Sequence, residues 1–170
     1  MSEVKKPITN SPHSSSTIKK ELPQFDDHYE VIHAAELLQQ LIAAGRLTVP
    51  AEFTKRTAYH DSCYYGRFND VYDEPRSVLA TTGADVHEMH RHKKFGMCCG
   101  AGGGRMWIEE DPNQRVNLLR TEQALETDPQ VIAVSCPFCM TMLSDGIKAK
   151  DLEDRVETLD VVEIVDRVAR

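Results

Sequence analysis

Residues 95–104 read FGMCCGAGGG. The side chains of two adjacent residues diverge, so Cys98 and Cys99 can bind one object only if that object offers several atoms. A polynuclear metal cluster meets this condition better than a single ion does. The four glycines that follow the two cysteines lack a Cβ atom and can take a positive φ, so the backbone can approach a cluster and direct N–H groups at its sulfur atoms. These glycines are Gly100, Gly102, Gly103 and Gly104.

Three more cysteines, Cys63, Cys136 and Cys139, bring the total to five. An odd number excludes a closed set of disulfides, and clustered cysteines in a reducing compartment are more often metal ligands or redox groups. Cys136 and Cys139 follow the apolar stretch VIAVS and flank Pro137, which predicts a strand that leads directly into a helix. Both sulfurs then face the positive end of the helix dipole, which lowers the pKa of a thiol.

Segments typical of strands and helices alternate along the chain and predict an α/β fold, a Rossmann-like parallel sheet with flanking helices. The apolar segment 131–135 is typical of a strand buried on both faces of such a sheet. Sites in these folds lie at the carboxyl ends of the strands. We therefore expect the cysteines to meet at that edge. The predicted strands are 28–33, 56–60, 85–89 and 131–135, and the predicted helices are 34–44, 75–82, 112–126 and one that begins at Pro137.

The two ends of the chain bear on its domain organisation. Residues 1–22 are rich in Ser, Pro, Thr and Lys and lack apolar periodicity, so we expect a flexible tail there and one domain over 23–170. Residues 30–42 and 157–169 align without a gap, and each resembles a strand followed by a helix. Two unrelated amphipathic units could match by chance. A duplicated protein would instead give one whole module preceded by the trailing βα unit of another.

Charge and hydropathy exclude some classes of function. The formal net charge of −7 argues against nucleic-acid binding, which needs a basic face. No apolar run approaches the ~18 residues that span a bilayer, and no signal peptide precedes the domain. We therefore expect a cytoplasmic protein without a transmembrane segment of its own.

The pattern Cys63…Cys98-Cys99-Gly100…Cys136-Pro137-Phe138-Cys139 resembles the cysteine-rich CCG domain of the heterodisulfide reductase B subunit and of related iron–sulfur oxidoreductases. The stretches YHDSCYYGR (59–67) and CCGAGGG (98–104) are most similar to membrane-bound electron-transfer-flavoprotein:quinone oxidoreductases. The resemblance implies that the five cysteines hold a [4Fe-4S] cluster of the non-cubane kind. It also implies a flavoprotein or another redox subunit as partner, a membrane-bound partner, and a location at the inner face of the membrane.

Five further residues are predicted to contact the cofactor. Gly100, Gly102 and Gly103 would present backbone N–H groups, His60 would brace the Cys63 loop by hydrogen bonds, and Arg105 would offset the negative charge of the cluster. Arg67 is a candidate for the same role as Arg105.

The leading functional prediction is an electron-transfer module of an oxidoreductase, which relays electrons between a flavin donor and a quinone, haem or disulfide acceptor. The first alternative is a disulfide reductase that acts directly at the cluster. A second is a zinc-bound structural or docking domain, although tetrahedral zinc would leave one thiolate unused. A dithiol/disulfide pair at Cys136 and Cys139 is a third, and it explains neither Cys63 nor the glycines.

Overall fold

The computed structural model describes residues 6–111 and 114–169. A four-stranded parallel sheet forms the centre of the fold, and a two-stranded parallel sheet lies in the N-terminal part. In chain order the elements are β1 (Ile8–Thr9), α1 (Pro12–Lys20), β2 (Ile32–His33), α2 (Ala34–Ala43), β3 (Arg56–Tyr59), α3 (Asp73–Thr82), β4 (Asp85–His87), α4 (Val116–Leu125), β5 (Val131–Val134), α5 (Pro137–Lys148), β6 (Glu157–Asp160) and α6 (Val161–Val168).

The order of strands in the main sheet is β4-β3-β5-β6, and every neighbouring pair is parallel. Ala58 of β3 pairs with His87 of β4 on one side and with Ile132 of β5 on the other. β5 is buried along its whole length, as expected for a strand covered on both faces. The predicted α/β class with a parallel sheet and flanking helices is therefore confirmed.

Two apolar cores lie on the two faces of this sheet. Ile132 of β5 packs with Leu143 of α5 in one core, where α4 and α5 contact each other. Ala133, the next residue of β5, packs with Leu79 of α3 and Ile164 of α6 in the other core. This alternation follows from the two-residue period of a strand, and each buried Leu or Ile contributes about 2 kcal/mol by leaving water.

The carboxyl ends of the strands share one edge because all four strands are parallel. The chain leaves β3 at Tyr59, β4 at His87 and β5 at Val134. The first loop leads to Cys63. The second leads to residues 98–104, the CCG stretch, and the third is only two residues long. The topology thus brings three separated segments of sequence to one place, as expected for open α/β sheets.

The N-terminal segment differs from the expected flexible tail. β1 pairs with β2 in parallel, with Ile8 opposite Ile32. α1 follows, with Ser11 as the N-cap and Pro12 in the first turn. Pairing with β2 and the N-cap at Ser11 stabilise this segment, so it does not need an apolar stripe and shows no apolar periodicity. Residues 1–5 lie outside the described part, and the domain division at residue 22 stays a prediction.

Several predicted boundaries also differ from the structure. β2 is a two-residue strand instead of 28–33, and α4 begins at Val116 with Arg115 as the N-cap. The predicted helix start at Pro112 lies outside the described residues. Units β2-α2 and β6-α6 each run from strand directly into helix, while the duplication itself stays a prediction. Within the described ranges, no helix combines the length and apolar character needed to cross a bilayer.

Candidate metal centre

The five cysteines form one continuous set of interacting side chains at the carboxyl edge of the sheet. Hydrogen bonding between side chains shifts the pKa values within four pairs, which are Cys63 with Cys98, Cys98 with Cys99, Cys99 with Cys139, and Cys139 with Cys136, and the sulfurs of Cys99 and Cys139 lie within 4.8 Å of each other. All five are free thiols rather than disulfides. The structure therefore brings together every sulfur that the sequence singled out, while their role as metal ligands stays a prediction.

Each cysteine is positioned by a different local feature. Cys136 is the N-cap of α5, Pro137 occupies the first turn, and Cys139 lies one turn inside, as predicted from the spacing. Cys99, Cys136 and Cys139 are buried, whereas Cys63 and Cys98 are partly exposed. The set is therefore closed on the α5 side and open toward solvent on the Cys63 side.

Backbone N–H groups point at three of the sulfurs. The N–H of Gly100 donates to Sγ of Cys98 over 3.3 Å, and Ala101 donates similarly to Cys99. The N–H groups of Phe138 and Cys139 donate to Cys136. Such donors favour the thiolate form of cysteine. The predicted role of the glycine stretch is thus seen at Gly100, whereas Gly102 and Gly103 instead line a cavity beside the site.

Hydrogen bonding and burial shift the pKa values of the thiols in different directions, down at Cys98 and Cys136 and up at Cys63, Cys99 and Cys139. A hydrogen bond from Cys139, together with the backbone N–H groups, lowers the pKa of Cys136 to about 6. Hydrogen bonds from Cys63 and Cys99 hold the pKa of Cys98 far below its ordinary value. The thiols of Cys63 and Cys139 have raised pKa values because each donates to a neighbouring sulfur. Five thiolates so close together repel one another, so full ionisation requires positive charge among them.

His60 lies against the buried end of the sulfur set. It is fully buried, and one of its ring nitrogens is within 4.8 Å of the sulfurs of Cys99 and Cys139. Arg120 of α4 donates through Nε to His60 Nδ1 over 3.0 Å. The sequence predicted a bracing role for His60, whereas Arg120 was not identified because nothing in its local sequence marks it as buried.

The two arginines predicted beside the cluster have other partners. Arg105 forms an ion pair with Glu110 at 2.5 Å, and its side chain is 49% exposed. Arg67 donates to the backbone oxygen of Gly96 over 2.8 Å. Among the contacts of the described residues, neither arginine has a hydrogen bond to a cysteine sulfur. The predicted charge-compensating role of Arg105 stays a prediction.

A buried ion pair, missed in the sequence, holds two of the cysteine loops together. Asp61, two residues before Cys63, binds both Nη atoms of Arg76 at 2.8 and 2.9 Å. Asp61 also accepts from the backbone N–H of Lys93 in the loop that leads to the CCG stretch. The pKa of Asp61 is lowered because these donors outweigh the effect of burial. Asp61 therefore connects the Cys63 loop to the Cys98 loop.

His13 of α1 is a second residue that the sequence did not reveal. Its Nδ1 lies 4.0 Å from Sγ of Cys136, and its ring stacks on Tyr64 with centroids 3.9 Å apart. The ring of Phe138 meets it edge-on at 5.1 Å. The N-terminal segment thus covers the Cys136 side of the site, which no local signal in a segment rich in Ser and Thr could have predicted.

A cavity of about 250 Å³ lies next to this cover. The side chain of Trp107 borders it and is 82% exposed. Its other lining residues are His13, Ala101, Gly102, Gly103, Gly104, Met106 and Phe138. The cavity reaches His13 and Phe138, which both contact Cys136, while Cys136 itself is buried and does not line it.

Fold and site together define a cysteine-rich α/β domain whose five cysteines gather at the edge of a parallel sheet. The sequence model of the CCG cysteine-rich domain matches residues 57–144, just over half of the chain. The chain belongs to this family. The resemblance seen in the cysteine motifs is thereby confirmed.

Relatives of known description carry the same region within longer proteins. "Probable iron-sulfur-binding oxidoreductase FadF" of Bacillus subtilis is 49% identical over 164 residues, which cover 96% of this chain and 23% of that protein. The EtfAB:quinone oxidoreductase of Syntrophomonas wolfei is 44% identical, over 95% of this chain and 24% of its own length. One subunit of the dihydromethanophenazine:CoB–CoM heterodisulfide reductase of Methanosarcina barkeri is 38% identical, over 86% of this chain and 34% of its own length. The chain thus spans about a quarter to a third of these relatives.

Proposed function

We propose that the five cysteines hold a [4Fe-4S] cluster and that the chain is the iron–sulfur electron-transfer module of an oxidoreductase. The observation that carries this proposal is the unbroken series of interacting cysteine side chains from Cys63 to Cys136, with the sulfurs of Cys99 and Cys139 within 4.8 Å of each other. The names of the three relatives, which describe iron–sulfur, quinone-linked and heterodisulfide chemistry, support it.

The donor set fits such a cluster. Iron–sulfur clusters are held by thiolates, and the pocket offers five sulfurs with backbone N–H groups directed at three of them. A cubane cluster needs only four thiolates, so the fifth supports the non-cubane arrangement. A single zinc would likewise use four and would leave the fifth sulfur buried or half-buried without a ligand role.

The chain's own residues would set the properties of the bound group. When bound, the cluster supplies a site that accepts and returns one electron at a time. The residues that surround it exclude water on the α5 side, donate N–H groups to the sulfurs, and leave Cys63 and Cys98 toward solvent. Charge, hydrogen bonds and exposure of this kind tune the reduction potential.

The relay would connect a flavin donor to a quinone, haem or disulfide acceptor. A flavoprotein or another redox subunit is the expected partner, and a membrane-bound partner would place the chain at the inner face of the membrane in the cytoplasm. The name EtfAB:quinone oxidoreductase supports a quinone-linked relay. A further relative, "Probable membrane-anchored ferredoxin" of Chromohalobacter salexigens, 35% identical over 93% of this chain and 24% of its own length, supports a membrane-bound partner.

A series of Cys→Ser variants tests the proposal. A five-ligand cluster predicts that each of the five substitutions, purified anaerobically, reduces iron content and bleaches the visible absorbance. Met140→Leu on α5 beside Cys139 keeps the apolar packing and should leave both unchanged. A four-ligand zinc site predicts instead that one of the five substitutions is harmless, and stoichiometric zinc without iron in the unsubstituted chain would contradict the proposal.

One observation favours a second candidate, direct reduction of a disulfide. The cavity of about 250 Å³ beside His13 and Phe138 is large enough for part of a small disulfide, and both of these residues contact Cys136. Thiol release from a mixed disulfide by the iron-loaded chain with a low-potential electron donor would support this activity. Electron transfer to a quinone analogue without any thiol release would favour the relay alone.

A further inference from the structure

Arg120 of α4 is a fully buried arginine whose hydrogen bonds all go to neutral groups. Its Nε donates to His60 Nδ1 over 3.0 Å. Its Nη1 donates to the backbone oxygen of Arg91 and to Oε1 of Gln123. Among the described residues, Nη2 has no hydrogen-bond partner. A buried guanidinium without a counter-ion is costly, so its retention calls for negative charge nearby.

The carboxylate that acts on Arg120 already has another partner. Asp61 attracts the guanidinium, but both of its oxygens are bound by Arg76. The other negative groups that act on Arg120 are the sulfurs of Cys99 and Cys139. Hydrogen bonds to neighbouring sulfurs and burial raise the pKa values of Cys99 and Cys139, so these residues supply the counter-charge for the guanidinium only when a bound metal group ionises them.

The contact with Arg120 also decides which nitrogen of His60 carries a proton. The guanidinium is a donor only, so Nδ1 must accept and cannot be protonated. A neutral imidazole in this arrangement carries its proton on Nε2. That nitrogen is buried and has no partner among the described groups, while the His60 ring reaches within 4.8 Å of the sulfurs of Cys99 and Cys139.

We propose that Arg120 is a positioning residue, which holds His60 in the Nε2–H tautomer so that this N–H donates toward the sulfurs of Cys99 and Cys139. The charge of the guanidinium meanwhile offsets the charge of the two thiolates. A hydrogen bond and a positive charge both stabilise the more negative, reduced form of an iron–sulfur group. The expected result is a raised reduction potential, and this part of the inference rests on the proposed function, whereas the tautomer does not.

The tautomer can be measured without any metal. In the ¹⁵N-labelled, reduced, metal-free chain, a long-range ¹H–¹⁵N NMR spectrum distinguishes protonated from unprotonated ring nitrogens. His60 should show an unprotonated Nδ1 and a protonated Nε2. A protonated Nδ1 in the unsubstituted chain would overturn the inference, and this outcome does not depend on the folding of any variant.

Substitutions at Arg120 test whether its positive charge raises the reduction potential. Arg120→Met removes the guanidinium and should lower the midpoint potential of the iron-loaded chain and mix the His60 tautomers in the metal-free chain. Arg120→Lys retains a positive charge and should keep the potential closer to that of the unsubstituted protein. Arg155→Met is the matched control, because the side chain of Arg155 is exposed and pairs with Asp128 on the surface.

The outcomes separate this inference from the proposed function. If the chain binds iron but Arg120→Met and Arg155→Met have the same potential, the charge role of Arg120 is wrong and the cluster assignment stands. If the unsubstituted chain binds no iron, the cluster assignment fails, and the His60 tautomer alone decides the positioning role. If Arg120→Met does not fold, the His60 tautomer of the unsubstituted, metal-free chain decides the positioning role.

Discussion

Gly100→Ala should weaken the site because Gly100 is the glycine of the CCG stretch whose surroundings leave no room for a side chain. Its φ is +93°, in the left-handed region, and a Cβ would lie 3.1 Å from both the backbone nitrogen of Asn117 and Cβ of Val116. The same residue donates its N–H to Cys98 over 3.3 Å. A shift of this backbone therefore disturbs a sulfur contact as well as packing.

The structure gives the approximate size of the effect. Placing a residue with a Cβ in the left-handed region costs about 1–2 kcal/mol. Relieving two contacts tighter than ordinary van der Waals distance adds on the order of 1 kcal/mol, because the neighbouring backbone of α4 must move. We expect the free energy of unfolding to fall by about 2–3 kcal/mol in total.

Gly102→Ala is the matched control. Gly102 lies two residues away, has no positive φ, and its Cβ would meet nothing within 4 Å. Urea unfolding of the reduced, metal-free proteins, followed by circular dichroism, measures both variants against the unsubstituted chain. Gly102→Ala should unfold near the unsubstituted midpoint, and equal stability of the two variants would refute the reasoning about Gly100.

Two further predictions concern buried ionisable side chains. Asp61→Asn removes the charge of a side chain that is 4% exposed and pairs with Arg76, which is 13% exposed. Because Arg76 keeps its ion pair with Glu88, the free energy of unfolding should fall by about 2 kcal/mol. Asp128→Asn, in an exposed pair, should change it little in the same urea titration. Burial lowers the pKa of His33 from 6.5 to about 4. His33 therefore takes up a proton at a higher pH in the unfolded chain than in the folded chain, and the free energy of unfolding falls as the pH is lowered from 6.5 toward 4. Between pH 7.5 and pH 5, His33→Asn should lose about 2 kcal/mol less of its free energy of unfolding than the unsubstituted chain does. An equal loss in the two proteins would exclude His33 as the source of this pH dependence.

The cysteine set was predictable because its signals are local and the topology is simple. Cys136 and Pro137 mark a helix start after an apolar strand, and that start is where the structure has it. Parallel strands end at one edge, so the loop with Cys63 and the CCG stretch had to meet α5 there. Neither step needs knowledge of side-chain packing.

The residues that surround the sulfurs were not predictable in this way. Arg120 lies on a helix whose sequence gives no sign that a charged residue is buried there, and His13 lies in a segment whose composition is typical of a flexible tail. Their positions depend on packing between elements far apart in sequence, such as the pairing of Ile8 with Ile32. Arg105 is close in sequence to the CCG stretch and forms its ion pair with Glu110, so its role beside the cluster stays a prediction.

The central claim is that five sulfurs bind one iron–sulfur cluster, and native mass spectrometry of the anaerobically purified chain tests it most directly. We predict a single bound species with the mass of about four irons and four sulfides per chain, lost together when Cys98 is replaced by Ser. A chain that carries the mass of one zinc ion and no sulfide would contradict it.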